Sequence, residues 1–363
     1  MPTTYGDPAQ LVEGWTWSVA GQLHLRRTKI AERVAQRLLA QAPGLSRKAG
    51  DQTQFYIERD VGWLLEHLSQ AIALTDPILF HDHIAWAKSM MTARGLKRAD
   101  LKRTLDLIAE VLDEDLSPAV YSSAITLIED AIQRLDTRTE EPAGQLSQPG
   151  LHVETARAYT DALVAGDDAT ARKLVRDKLA AGTPLADVLL HVIEPAQVEI
   201  GRLWQVNRID VAQEHFATSV SQDLMAELTG RLAPSGETGT LVAACVEGEL
   251  HDTGLRVVNA LLQMNGWSSH YLGANTPKAA IHKAVRRVQP EVLALSVTTP
   301  YLTWRLADVI ADLRRDPETA EVKVLVGGYP FHVSPSLAKW IGADGTARTA
   351  EDAVLLAGDF ARV

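Results

Sequence analysis

Across residues 1–136, apolar side chains recur every three or four positions, the spacing of one helical face. A first helix is predicted over Val19–Gln41, with Leu23, Ile30, Val34 and Leu38 near one side. A second spans Thr53–Leu74, where Ile57, Val61, Leu64, Leu65, Leu68 and Ile72 keep the same spacing. Thr75-Asp76-Pro77 opens a third, Pro77 suiting its first turn, which carries Phe80, Ile84, Trp86 and Met90 and ends near Gly95. Two more follow over Arg98–Leu112 and Pro118–Leu135. Residues 137–150 are polar with two Pro and two Gly, the composition of a linker. A second helical block runs from Val153 to Leu232, and Pro234-Ser235-Gly236-Glu237 closes it.

Beyond that point the period changes. Short β-rich runs lie at 241–246, 269–273, 292–298 and 322–328, with a final strand near Gly342–Arg348. Helices fit between them at 252–265, 277–288 and 303–315. Apolar strands alternating with helices predict a parallel, doubly wound sheet, whose ligands bind outside the carboxyl ends of the strands. The expected fold class is α plus α/β. It comprises an N-terminal all-α region (1–136), a linker (137–150), a helical cap (151–233) and a Rossmann-like domain (238–363).

Composition narrows the function. With 36 basic and 46 acidic side chains the net charge is −10, and both halves are acidic, which argues against a nucleic-acid partner. No stretch approaches the ~20 apolar residues of a membrane span. The N-terminus lacks the basic and apolar regions of a signal peptide. One cysteine, Cys245, leaves no intramolecular disulfide and fits a reducing cytoplasm.

Three groups of residues fall at predicted strand ends: Glu249-Leu250-His251-Asp252-Thr253-Gly254, Ser296-Val297-Thr298 and Gly327-Gly328. Gly254 and Ser296 are separated by 41 residues, Thr298 and Gly327 by 28. Taken singly each is ordinary: a loop histidine commonly serves structure, and a glycine pair a turn. Together they describe one site. An imidazole binds a transition metal, and a carboxylate, Glu249 or Asp252, can hold its other ring nitrogen. Small residues two strands away leave a slot for something long and flat.

These motifs resemble the cobalamin-binding domain of methionine synthase, methylmalonyl-coenzyme A mutase and corrinoid proteins, over residues 238–363. The resemblance implies that His251 is the lower axial ligand to cobalt, in the base-off, His-on state. It further implies that the nucleotide tail lies among Ser296, Thr298, Gly327 and Gly328. The family pattern has Asp two residues before the histidine, whereas this chain has Glu249.

Upstream, Trp204 is followed after nine residues by Glu214-His215. That pattern resembles the cap of the adenosylcobalamin-dependent photoreceptors, in which these residues cover the adenosyl group. An apolar lid at Trp204 and acceptors for ribose hydroxyls at Glu214 suit that task. The bland alternative is a tryptophan plugging the helical core beside a solvated Glu-His pair. Members that bind DNA carry a histidine directly after the tryptophan. Here Gln205 stands there, so their light-state second histidine ligand is not expected.

The first domain lacks the basic recognition helix and β-wing of those DNA-binding members and resembles a globin-like bundle. A globin-like domain joined to a light-type cobalamin domain resembles the photocobilins, which implies a bilin such as biliverdin as a second chromophore. Tyr56, His83, Trp86 and Arg94 are candidate bilin contacts, with His67 and His81 nearby. His83 and Trp86 share a helix face, while His81 and His83 point to different sides, so at most one joins Trp86 inside. Thiol attachment is not expected, because Cys245 falls within a predicted strand.

The resulting expectation is a cytoplasmic light sensor rather than an enzyme. It would hold adenosylcobalamin and a bilin and signal through cobalt–carbon photolysis and cap rearrangement to an unknown downstream protein or a homo-oligomer. Alternatives are a corrinoid methyl carrier of a methyltransferase system and a globin-type heme sensor coupled to cobalamin.

Overall fold

A computed structural model describes residues 19–42, 52–135, 142–230, 232 and 237–362. The described residues form two compact units. One holds the N-terminal helices together with Thr299–Ala311 and His332–Gly342. The other holds the cap and most of the sheet domain. Among the described residues no helix is long and apolar enough to cross a membrane.

The N-terminal helices are α1 (Val19–Gln41), α2 (Thr53–Leu74), α3 (Ile78–Ala93), α4 (Arg98–Asp115) and α5 (Pro118–Arg134). Leu23, Ile30, Val34 and Leu38 of α1 are buried, as their spacing requires, against Val61, Leu65 and Leu68 of α2 and Leu105, Ile108 and Leu112 of α4. Truncating one such leucine to alanine typically costs ~2–5 kcal/mol, because the lost transfer energy adds to the cavity left behind. Pro77 lies one position before α3 rather than inside it. Pro118, which has no N–H to satisfy, opens α5.

The predicted 137–150 linker is described from residue 142 onward, and that part is not free. Leu146 is buried, and Arg157 donates from Nε to its carbonyl at 2.8 Å. The cap consists of α6 (Val153–Val164), α7 (Asp168–Ala180), α8 (Leu185–Val188), α9 (Glu194–Gln205) and α10 (Val211–Thr229). A π-helical turn over Leu189–Ile193 joins α8 to α9, a feature frequent at functional sites. Asp167 caps α7 by accepting from the Thr170 N–H, and Asp210 with Gln213 forms a reciprocal capping box on α10.

The sheet domain runs β1 (Gly239–Val246), α11 (Thr253–Met264), β2 (Trp267–Thr276), α12 (Lys278–Val288), β3 (Val292–Ser296), α13 (Thr303–Arg315) and β4 (Lys323–Gly327). It continues through α14 (Tyr329–Val333), α15 (Ser336–Trp340), β5 (Gly345–Thr346) and α16 (Ala350–Phe360). All pairings are parallel, in the order β2-β1-β3-β4-β5. Residues 241–246 are fully buried, which is why β1 reads as an unbroken apolar run. The order reverses direction between β1 and β3, and the loops leaving those two strands open the crevice where such sheets bind ligands. This arrangement corrects one expectation. Ser296 is not two strands from the β1 loop. The crossover sets β3 directly beside β1, with Cys245 opposite Ser296 and Ser296 opposite Gly327.

Candidate functional site

The loop after β1 is built around a buried carboxylate. Gly248, at φ +87°, turns the chain, and the Asn275 N–H fixes the Glu249 carbonyl at 2.8 Å. The Glu249 side chain is then fully enclosed. A carboxylate without water is costly unless donors surround it. Glu249 Oε1 accepts from the His251 backbone N–H at 2.9 Å and from His251 Nδ1 at 2.5 Å. Its Oε2 accepts from the Thr298 N–H, at the end of β3, at 2.7 Å. The longer side chain thus reaches the ring, and Glu249 rather than Asp252 is its partner.

With Nδ1 donating to Glu249, Nε2 is the nitrogen left over. No partner for it is found among the described residues, and the His251 side chain is 67 % exposed. The Glu249 hydrogen bond raises the imidazole's proton affinity above the ordinary 6.5, working against burial, with Glu249 and Glu214 adding their negative charge. A basic, oriented imidazole with one free nitrogen is the donor a transition metal needs. Its setting fits a corrinoid: Leu250 stands 68 % exposed beside it, and a Cβ on Gly254 would enter open space.

The other sequence-nominated residues divide. Ser296, Thr298, Gly327 and Gly328 come together at the ends of β3 and β4, where the Val297 N–H donates to the Gly327 carbonyl at 3.1 Å. Gly328 has φ +110°, and a Cβ there would lie 1.9 Å from the Val297 carbonyl oxygen, so only glycine is accommodated. A Cβ on Gly327 would meet nothing closer than 3.7 Å. Asp252 is 2 % exposed and accepts from Gln222, Tyr271 and Arg256. Trp204 packs on the apolar core of the cap. His215 is 75 % exposed, with Nδ1 2.5 Å from Glu214 Oε2, and Thr218 donates to Glu214 Oε1 at 3.0 Å.

In the N-terminal unit, His83 and Trp86 stack at 5.6 Å, as their spacing predicts. The His67 ring lies parallel to His83 at 3.6 Å, and Tyr301 meets both His67 and Trp63. Burial lowers His67 to about 4 and His83 well below 6.5. His81 lies apart, 2.9 Å from Asp130. Tyr56 is exposed and donates to Gln52, with the Arg59 guanidinium over its ring, while Arg94 bonds the Met90 carbonyl at its own helix end. The structure thus brings His83 and Trp86 together, while Tyr56 is joined to Trp63 through the Arg59 guanidinium that lies over both rings.

Sequence reasoning passed over Gln70, whose buried Nε2 has no partner, and Tyr301, which no local spacing could link to α2. Two clefts do not coincide with the His251 site. One of about 540 Å³ lies between residues 142–147 and the cap, beside Arg157, Arg202 and Arg208. One of about 340 Å³ in the N-terminal unit is lined by Arg27, Phe55, Arg59, Trp63 and Tyr301.

The family model described as the B12 binding domain matches residues 239–355, and a second of the same description matches 155–229. The chain belongs to the B12-binding domain proteins. It is similar to monomethylamine corrinoid protein 1 of Methanosarcina mazei, 30 % identical over 207 residues, covering 54 % of this chain and 93 % of that one. It is also similar to the HTH-type transcriptional repressor CarA of Myxococcus xanthus, 35 % identical over 121 residues. That match covers 33 % of this chain, and the chain spans about two fifths (41 %) of the repressor's length. The solved structure of the Methanosarcina barkeri monomethylamine corrinoid protein superposes with a TM-score of 0.51 at 25 % identity, covering 58 % of this chain and 99 % of that one. The cap and the sheet domain therefore bind a cobalamin or related corrinoid.

Proposed function

We propose that the chain is a light sensor that holds adenosylcobalamin, His-on and base-off, between His251 and the cap. In the same reading a bilin such as biliverdin occupies a globin-like N-terminal region. The observation that carries the first part is the His251 ring, held at Nδ1 by buried Glu249 with Nε2 left open. His251 Nε2 ligates cobalt. Ser296, Thr298, Gly327 and Gly328 line the nucleotide tail, with Gly254 leaving room beside the loop. Trp204 supplies the apolar cover, Glu214 accepts from ribose hydroxyls, and His215 bonds a neighbouring polar group. When bound, adenosylcobalamin supplies a cobalt–carbon bond that light breaks. What the chain contributes is a cap whose position depends on what lies beneath it, a two-state element that light can bias. His83 and Trp86, with Tyr56 and Arg94 as outer contacts, are the bilin residues, and the stack of His67 on His83 favours a flat conjugated guest. The output passes to a partner protein or a changed oligomer.

A second reading, a corrinoid methyl carrier, is favoured by the coverage of the methylamine corrinoid proteins, 93 % and 97 % of whose lengths this chain matches. Against it, the bulky Trp204 on the cap obstructs methyl transfer. Absorption spectra of protein reconstituted with adenosylcobalamin and biliverdin, in the dark and after illumination, test both. A lasting change in the cobalamin bands and a far-red bilin band are expected. Light-stable bands together with methylcobalamin turnover onto a methyl acceptor would replace the sensor with the carrier, and a Soret band would mark heme instead of bilin.

A further inference from the structure

Helix α10 carries Glu214, Thr218 and Gln222 at four-residue spacing, so the three share a face. Thr218 bonds Glu214 at one end of this stripe. At the other, Gln222 Nε2 donates to Asp252 Oδ1 at 2.8 Å. Asp252 is the residue after His251 and stands at the N-cap of α11. An aspartate there ordinarily accepts from the N–H groups of its own first turn. Asp252 makes no such bond. Its buried oxygens are committed instead to Gln222, to the Tyr271 hydroxyl at 2.8 Å and to Arg256 Nε at 3.0 Å. A local rule broken in favour of a tertiary contact marks a constrained position.

We propose that the Gln222–Asp252 hydrogen bond is the latch that holds the cap helix on the loop bearing His251, making Gln222 and Asp252 positioning residues of the cobalamin site. Motion of α10 at Glu214 is then felt two helical turns away, next to the cobalt ligand. The inference rests on the reading that Glu214 and His251 face one bound corrinoid, but not on light.

The test is therefore run in the dark, on the full chain with hydroxocobalamin. Gln222→Glu sets a second carboxylate against Asp252. Amide exchange over 211–229 and the rate of hydroxocobalamin release should each rise about 10-fold or more. Exchange in β1 and β3 should not change. Gln222→Lys, which restores a donor, should return both quantities towards wild type. Wild-type exchange and release in folded Gln222→Glu would overturn the latch. So would a Gln222→Lys protein as loose as Gln222→Glu, which would assign the effect to packing alone. Should Gln222→Glu fail to fold, Gln222→Met, which lacks the donor at similar volume, is read the same way. Failure of the light response with the latch intact would remove the sensor reading and leave this one standing.

Discussion

Two histidine sites, one in each unit, stand in opposite surroundings. His67 and His83 lie ring on ring inside helices, and burial drives their proton affinity down, His67 to about 4. His67 Nδ1 is 2.8 Å from the Trp63 carbonyl and donates to it, which leaves Nε2 buried as a bare, unpartnered acceptor. His251 stands two-thirds exposed, and its proton affinity is driven up by a carboxylate that is itself wholly buried. Burial disfavours the charged ring, whereas a fixed anion favours it. What suits His251 to a metal is therefore its setting: one nitrogen committed, the other open.

The sharpest way to break this comparison is His251→Ala. Imidazole ligation should vanish from the absorption spectrum of the hydroxocobalamin complex, and affinity should fall more than about 100-fold, beyond what an outer-shell change costs. An unchanged His-on spectrum would overturn the assignment of His251. Next in size is Glu249→Gln, which keeps the shape but removes the charge that orients the ring. A loss of about 10- to 100-fold in hydroxocobalamin affinity is expected. Full affinity would mean that the backbone of the loop alone positions the ring.

Much of this was readable from the chain because the physics that carries it is local. The predicted helices at Val19–Gln41 and Thr53–Leu74 agree with the structure, since their buried faces repeat every three to four residues. The β1, β3 and β4 runs stood out because their cores are buried on both faces. Strand β2 is longer than predicted, 267–276 against 269–273, because its middle is only half-buried and its polar residues broke the run. Helix α16 and the short α14 and α15 were not foreseen. Helices α14 and α15 have five residues each, and α16 buries mainly alanines, Ala350, Ala353 and Ala357. The Glu249–His251 pair was legible as a choice between two carboxylates. Settling that choice required the Thr298 N–H, 49 residues along the chain, which arrives only once β3 lies beside β1. The Gln222–Asp252 contact and the meeting of Tyr301 with His67 are likewise products of tertiary structure.

A carboxylate without Glu249's donors sharpens the contrast. Glu194, where α9 leaves the π-helical turn, accepts no hydrogen bond from the described residues. Burial first, and then the negative charge of Glu351, push it from the ordinary 4.5 up to about 7. The folded state thus holds this proton more tightly than the unfolded chain does. Its contribution is full below about pH 4.5 and is lost as pH rises through 7. Glu194→Gln should remove that dependence and stabilise the protein at pH 8 by on the order of 3 kcal/mol. Thermal unfolding from pH 5 to 8 reads it out, and parallel pH profiles for variant and wild type would show that Glu194 ionises freely.

The smallest effect concerns His67. Its lowered proton affinity means that the unfolded chain takes up a proton the folded one refuses. Stability is complete above pH 6.5 and falls as pH drops towards 4. His67→Leu removes this acid sensitivity, although His83, whose proton affinity is also lowered, keeps its own. At pH 7 the substitution gives up the bond to the Trp63 carbonyl, about 1 kcal/mol, and also removes the buried Nε2 that nothing satisfies. The two nearly cancel, so unfolding free energy should move by less than about 1 kcal/mol. Biliverdin titration of the same variant then separates two uses of the ring. Unchanged stability with weakened bilin binding would mean that Nε2 accepts from the chromophore. Unchanged stability with unchanged binding would leave His67 as packing beneath His83 and move the bilin reading away from this stack.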